Sequence, residues 1–86
     1  MVVPYTEEKG IRTFLSGVDE KDLVWHRDIE DRYVEVLEGD GWQFQYDDCL
    51  PFSITSGDRF TIKKMEYHRL IKGDGDLTIR IIKDAN

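Results

Sequence analysis

The sequence predicts an all-β fold, a sandwich or closed barrel of seven or eight antiparallel strands. Three observations carry this expectation. Short stretches rich in Val, Ile, Thr and aromatic residues alternate apolar with polar side chains, which sets one face of each against a core and the other in water. Gly/Asp clusters separate these stretches and supply the positive-φ positions that tight turns need. The chain has 86 residues, and a sheet that small leaves exposed edges unless it closes on itself.

Taken in order, residues 1–10 are expected to be irregular, with Thr6-Glu7-Glu8-Lys9 forming loop or one helical turn, and Ile11–Leu15 to be an eighth, less regular strand. Seven strands with clearer alternation follow at Leu23–Asp28, Arg32–Glu38, Trp42–Asp47, Phe52–Thr55, Arg59–Lys63, Tyr67–Lys72 and Leu77–Lys83. Glu38-Gly39-Asp40-Gly41, Ser56-Gly57-Asp58 and Lys72-Gly73-Asp74-Gly75 read as hairpin turns between them. In Trp42–Asp47 the aromatics Trp42, Phe44 and Tyr46 alternate with Gln43 and Gln45, so the aromatic face is expected inside; a slip of one residue would turn the glutamines inward instead.

Composition bounds the rest. A length of 86 residues is expected to make a single domain over residues 1–86, because two domains could not each build a core. The chain is 40% hydrophobic and 35% charged, and no apolar run approaches the roughly 18 residues of a membrane span. Met1-Val2-Val3-Pro4-Tyr5 has neither the basic nor the apolar region of a signal peptide, so a cytoplasmic location is expected. Cys49 is the single cysteine, which rules out an internal disulfide and a cysteine-based zinc site. Its neighbours Asp47 and Asp48 raise a thiol pKa and argue against a catalytic role. The net charge is −6, and no stripe of Lys/Arg interleaved with aromatics is present, so nucleic acid is not an expected partner. Residues up to Ser56 carry 5 basic and 13 acidic groups, whereas Gly57 to Asn86 carry 7 and 5; two halves of opposite sign attract each other within one small fold.

The segments Trp25-His26-Arg27-Asp28 to Val36-Leu37-Glu38-Gly39 and Gly57-Asp58 to Tyr67-His68 resemble the two motifs of a short single-domain cupin, over roughly residues 23 to 83. In the first motif His26 and Gly39 match, Asp28 stands in the second His slot, Arg32 in the Glu slot and Glu20 in the leading Gly slot. In the second, Gly57 and His68 match, while Lys63, Met65 and Lys72 replace Pro, Gly and Asn. The resemblance implies a jelly-roll-like barrel with a divalent metal in its mouth and, commonly, a homodimer. It does not imply a reaction.

Strand alternation puts Val24, His26 and Asp28 on one face, so imidazole and carboxylate project the same way. With His68 from a later strand they make two histidines and one carboxylate, a set with open positions that suits a divalent transition metal such as Fe, Mn, Ni or Zn. The same pattern is the ligand set of oxygenases on related barrels. Arg32 complicates this site, because its slot faces the metal and a guanidinium stays charged. At about 5 Å from a dication and an effective dielectric constant near 20, the repulsion is about 7 kcal/mol. Arg32 therefore either turns to solvent or an anionic substrate and leaves a three-ligand site, or pairs with Asp28 and fills the metal's place. Gln43, if inward, would add a substrate contact. Glu30 and Asp31 read as a solvated turn. His68 beside Tyr67 also has an ordinary structural reading, as a hydrogen-bonded histidine in a barrel wall. The functional expectation is a cupin-like protein acting on a small molecule through a divalent metal, as a small enzyme of oxygenase or isomerase type. The alternative is a non-enzymatic ligand-binding or structural barrel in which an Asp28–Arg32 pair replaces the metal.

Overall fold

The computed structural model describes residues 3–84. Among them are eight strands: β1 (Thr6–Glu8), β2 (Ile11–Phe14), β3 (Arg32–Glu38), β4 (Gln43–Tyr46), β5 (Phe52–Ser53), β6 (Arg59–Ile62), β7 (His68–Ile71) and β8 (Leu77–Lys83). They form a five-stranded sheet of order β1-β2-β8-β3-β6 and a three-stranded sheet of order β5-β4-β7, every pair antiparallel. This is the all-β architecture that the alternating pattern predicts. β3 and β8, each spanning seven residues, are the spine of the larger sheet. Val34 and Val36 on β3, with Leu77, Ile79 and Ile81 on β8, turn inward and are buried. Phe14, Ile62, Trp42 and Phe44 meet them across the interior. Burying an aliphatic or aromatic side chain of this kind is worth about 1.5–3 kcal/mol, so the register that keeps this face inward is strongly preferred. Trp42, Phe44 and Tyr46 do lie on the inward side of β4 as expected, with Trp42 fully buried.

Three sequence expectations are corrected. Residues 1–10 are not irregular throughout: Thr6–Glu8 pairs with β2 as an edge strand, closed by Lys9 (φ 53) and Gly10 (φ 80), the two positive-φ residues of a tight hairpin. Residues 1 and 2 lie outside the described part of the chain. Conversely, Leu23–Asp28 is not a strand. The segment between β2 and β3 has a single 3₁₀ turn at Glu20–Asp22, capped by the Asp19 carboxylate on the Lys21 amide, and meets a sheet only where His26 bridges His68. There the Val24 carbonyl accepts from the His26 ring. Finally, the three Gly/Asp clusters are not hairpins. Each carries the chain from one sheet to the other, from β3 to β4, from β5 to β6 and from β7 to β8, which is how a jelly roll closes. Gly41 (φ 77) and Gly57 (φ 95) do take the left-handed backbone that these turns require.

Two of those crossings pack together. The buried Trp42 indole donates to the Gly75 carbonyl at 2.8 Å, and the Asp74 amide donates to the Asp40 carbonyl at 3.2 Å. A Cβ on Gly73 would lie 2.5 Å from the Asp40 carbonyl oxygen and 2.5 Å from the Trp42 amide nitrogen, both backbone atoms that cannot step aside. Gly73→Ala is therefore expected to destabilise the protein by about 1–3 kcal/mol, read as a lower urea midpoint. Gly75→Ala, which meets nothing within 4 Å, is the control expected to stay within about 1 kcal/mol of the parent.

Candidate metal centre

His26 and His68 are locked across the barrel mouth by a reciprocal backbone pair, His26 amide to His68 carbonyl at 3.1 Å and His68 amide to His26 carbonyl at 3.0 Å. Asp28 is placed by its own carbonyl, which accepts from the Met65 amide at 2.7 Å. The three side chains converge: each offers one donor atom, and these atoms lie within 4.8 Å of one another. Asp28 Oδ2 is 3.4 Å from His68 Nε2, and Asp28 Oδ1 is 4.0 Å from His26 Nε2.

The ring orientations are set from behind. His26 Nδ1 is 2.9 Å from the Val24 carbonyl and His68 Nδ1 is 2.8 Å from the Glu66 carbonyl. A carbonyl can only accept, so both Nδ1 atoms carry the hydrogen, and in a neutral ring Nε2 then holds a lone pair. Both lone pairs point at a carboxylate. Asp28 and His68 are buried, and Asp28 Oδ2 has no hydrogen-bond partner among the described residues, a situation that ordinarily costs a few kcal/mol. A proton between His68 and Asp28 would relieve it. Burial, however, pushes His68 below its ordinary pKa, with the nearby His26 and Arg32 adding to the effect against the pull of the Glu66 carbonyl and Asp28. A divalent cation relieves all three groups at once. Donors about 2.1 Å from a transition metal stand roughly 3.0–3.4 Å apart in octahedral or tetrahedral sites, so the Asp28–His68 separation already suits one and His26 needs a small inward adjustment.

Arg32 does not turn to solvent. Its side chain is inward, with Nη1 3.4 Å from Asp28 Oδ1, yet Nε donates to Glu30 Oε1 at 2.9 Å and Nη2 lies 2.9 Å from the same oxygen. The guanidinium is thus held sideways by Glu30, whose carboxylate offsets its charge, and it shares Asp28 Oδ1 with His26 while leaving Oδ2 to His68. Glu30 was expected in a solvated turn. Its place in the bend two residues before Arg32, where β3 begins, is what pairs them.

The comparisons with known proteins agree with this architecture. No protein-family model matches the chain, and no curated protein matches it significantly. Among solved structures it is similar to protein NMB1881 from Neisseria meningitidis, with a TM-score of 0.58 and 20% identity over 92% of this chain and 78% of that one. It is similar also to a cupin-2 domain containing protein from Shewanella frigidimarina, with a TM-score of 0.57 and 24% identity over 92% of this chain and 76% of that one. The chain has a cupin-type fold.

Within the cupin frame, Met65 stands where the second motif has Gly and keeps a left-handed backbone, φ 64, so a glycine conformation persists without the glycine. The residues that sequence reasoning proposed for the site fall unevenly. His26, Asp28, His68 and Arg32 all line one cavity of about 340 Å³. Gln43 does not: it sits on β4 between the inward Trp42 and Phe44, paired with Ser53 and Ile71, and strand alternation turns it to the other face. Sequence reasoning missed Phe44, whose ring stacks on His68 at 5.5 Å between centroids, and Arg12, which also lines the cavity. The signal for Arg12 is its parity with the buried Phe14 two residues on.

The depressed His68 pKa fixes a sign. In protein freed of metal by a chelator, the unfolded chain takes up a proton at His68 near pH 6.5 and the folded chain resists it. Stability from this group is then fully present above that pH and falls as pH drops below it, by up to about 1.4 kcal/mol per pH unit. Urea midpoints from pH 7.5 to 5.5 are expected to decline, and to decline less steeply in His68→Gln.

Proposed function

We propose that the protein is a metal-dependent cupin in which His26, Asp28 and His68 hold one divalent transition metal, drawn from Fe, Mn, Ni or Zn, at the mouth of an apolar cavity that admits a small molecule. The observation that carries this reading is the buried, unpartnered Asp28 Oδ2 facing an imidazole lone pair. The donor set has the composition of a facial site with open positions, and both imidazoles have the carbonyl partners that fix such ligands. A metal so held supplies Lewis acidity, and with Fe or Mn also redox capacity, of the kind that small oxygenases and isomerases use. The chain's own residues orient and enclose: Phe44 stacks on His68, and Arg32, anchored by Glu30, presents positive charge beside the metal position to a polar group of the substrate. Val34, Phe60 and Ile81 give the substrate a dry wall. The same reading places the protein in the cytoplasm as a homodimer, for which the exposed Tyr33 and Ile82, paired across β3 and β8 on the outside of the larger sheet, offer an apolar contact.

A second reading has its own observation. The 3.4 Å contact between Arg32 and Asp28 supports a metal-free cavity in which the guanidinium supplies the cation, leaving a binding module without chemistry. Titration of chelator-treated protein with Mn, Fe, Ni and Zn separates the two. The metal reading expects uptake near one equivalent, an anomalous scattering peak among the three side chains, and a stability gain of about 2.7 kcal/mol at a hundred times the dissociation constant. His68→Ala is expected to abolish all three. Uptake below about a tenth of an equivalent of every metal tried, with the melting temperature unmoved, sinks it.

A further inference from the structure

The cavity that begins at the three donors is walled mainly by hydrocarbon, including Phe14, Phe60, Ile79 and Ile81, yet a second arginine projects into it. Arg12 lies on β2, with its side chain only 12% exposed. It pairs in register with the buried Ile79 of β8, whereas Arg32 pairs with Lys83, four residues further on the same β8 frame. The two arginines are therefore offset by about 13 Å of strand rise, with Arg32 beside the donors and Arg12 deeper along the wall. The Tyr5 ring lies 4.2 Å from the Arg12 guanidinium, and Nε–H is spent on Glu7. Neither terminal nitrogen has a hydrogen-bond partner among the described residues. A guanidinium held in a mostly apolar pocket with its outer fork unused fits a planar, bidentate acceptor.

We propose that the cavity takes a small organic acid, an apolar body bearing one carboxylate, and that Arg12 reads the carboxylate while the rest of the molecule extends toward the donor set. The apolar wall selects against sugars and other polyols, which would lose hydrogen bonds to water there. Glu7 and Glu30 already offset much of the charge on Arg12 and Arg32, so a single negative charge suits the site better than a di- or trianion. This substrate class rests on the metal-centre reading only for the far end of the molecule, because Arg12 is not among the donors.

The test uses the full chain, with and without chelator, and calorimetry with hexanoate and 3-phenylpropanoate against hexanamide and 3-phenylpropanamide. The acids are expected to bind at least tenfold tighter than their amides, and Arg12→Gln to erase that preference while metal uptake stays at the parent level. Arg12→Lys, which keeps the charge without the fork, is expected to retain a reduced preference and covers the event that Arg12→Gln folds poorly. Arg59→Gln, on the outer face, is expected to leave acid binding unchanged. Equal binding of acid and amide, or an acid preference that survives Arg12→Gln, overturns the proposal. Metal uptake without acid preference defeats this inference alone, whereas acid preference without metal uptake defeats the metal centre and leaves Arg12 in its role.

Discussion

A nearly buried carboxylate with one oxygen left without a hydrogen donor among the described residues is the constraint around which the mouth of this barrel is arranged. Asp28 is nearly buried and one of its oxygens is unpartnered among the described residues. Everything within reach of it is organised: two imidazoles turned by backbone carbonyls so that their lone pairs face it, a guanidinium on its other oxygen, and a second carboxylate holding that guanidinium in place. Mutual repulsion among lone pairs in a low-dielectric pocket is a stored cost. A domain of this size has a total stability of only about 5–15 kcal/mol, so such a cost is tolerated where a bound cation or ligand removes it.

The fold meets that constraint through connectivity. His68 comes from β7 of the small sheet and Arg32 from the start of β3 in the large one, while His26 and Asp28 come from neither. The sheets face each other because the Gly/Asp crossings alternate the chain between them, and the tight seat of Gly73 against Trp42 holds two crossings together at one end. The donors gather in the mouth and the hydrocarbon fills the middle.

Much of this was legible in the chain itself. The strands β3 and β8 follow directly from alternation, because Val34 and Val36 on one and Leu77, Ile79 and Ile81 on the other are buried at every second position. The convergence of His26, Asp28 and His68 on one cavity was legible through their spacing and the parity of the first two. What alternation could not reveal is where a chain with strand-like composition leaves the ladder: Leu23–Asp28 has the pattern, but it meets a sheet only where His26 bridges His68. Nor could it distinguish a hairpin from a crossing, since both need the same positive-φ residues, and only the partner strands decide. The Glu30–Arg32 clamp and the inward Arg12 were hidden because charged residues near strand ends read as solvated until the packing around them is known.

The irregular stretch that joins β2 to β3 carries two of the three donors. It is tied to the barrel by the bridge to His68, by the Met65, Lys64 and Asp84 amides, by Arg27 on the Tyr67 hydroxyl and by the Ser16 amide on Asp76, and a cation captured at the mouth would add a clasp to these. Loading would then be felt as slower amide exchange and greater resistance to proteases along residues 15–31, and the same loop, unfastened, would widen the mouth through which a guest reaches the cavity.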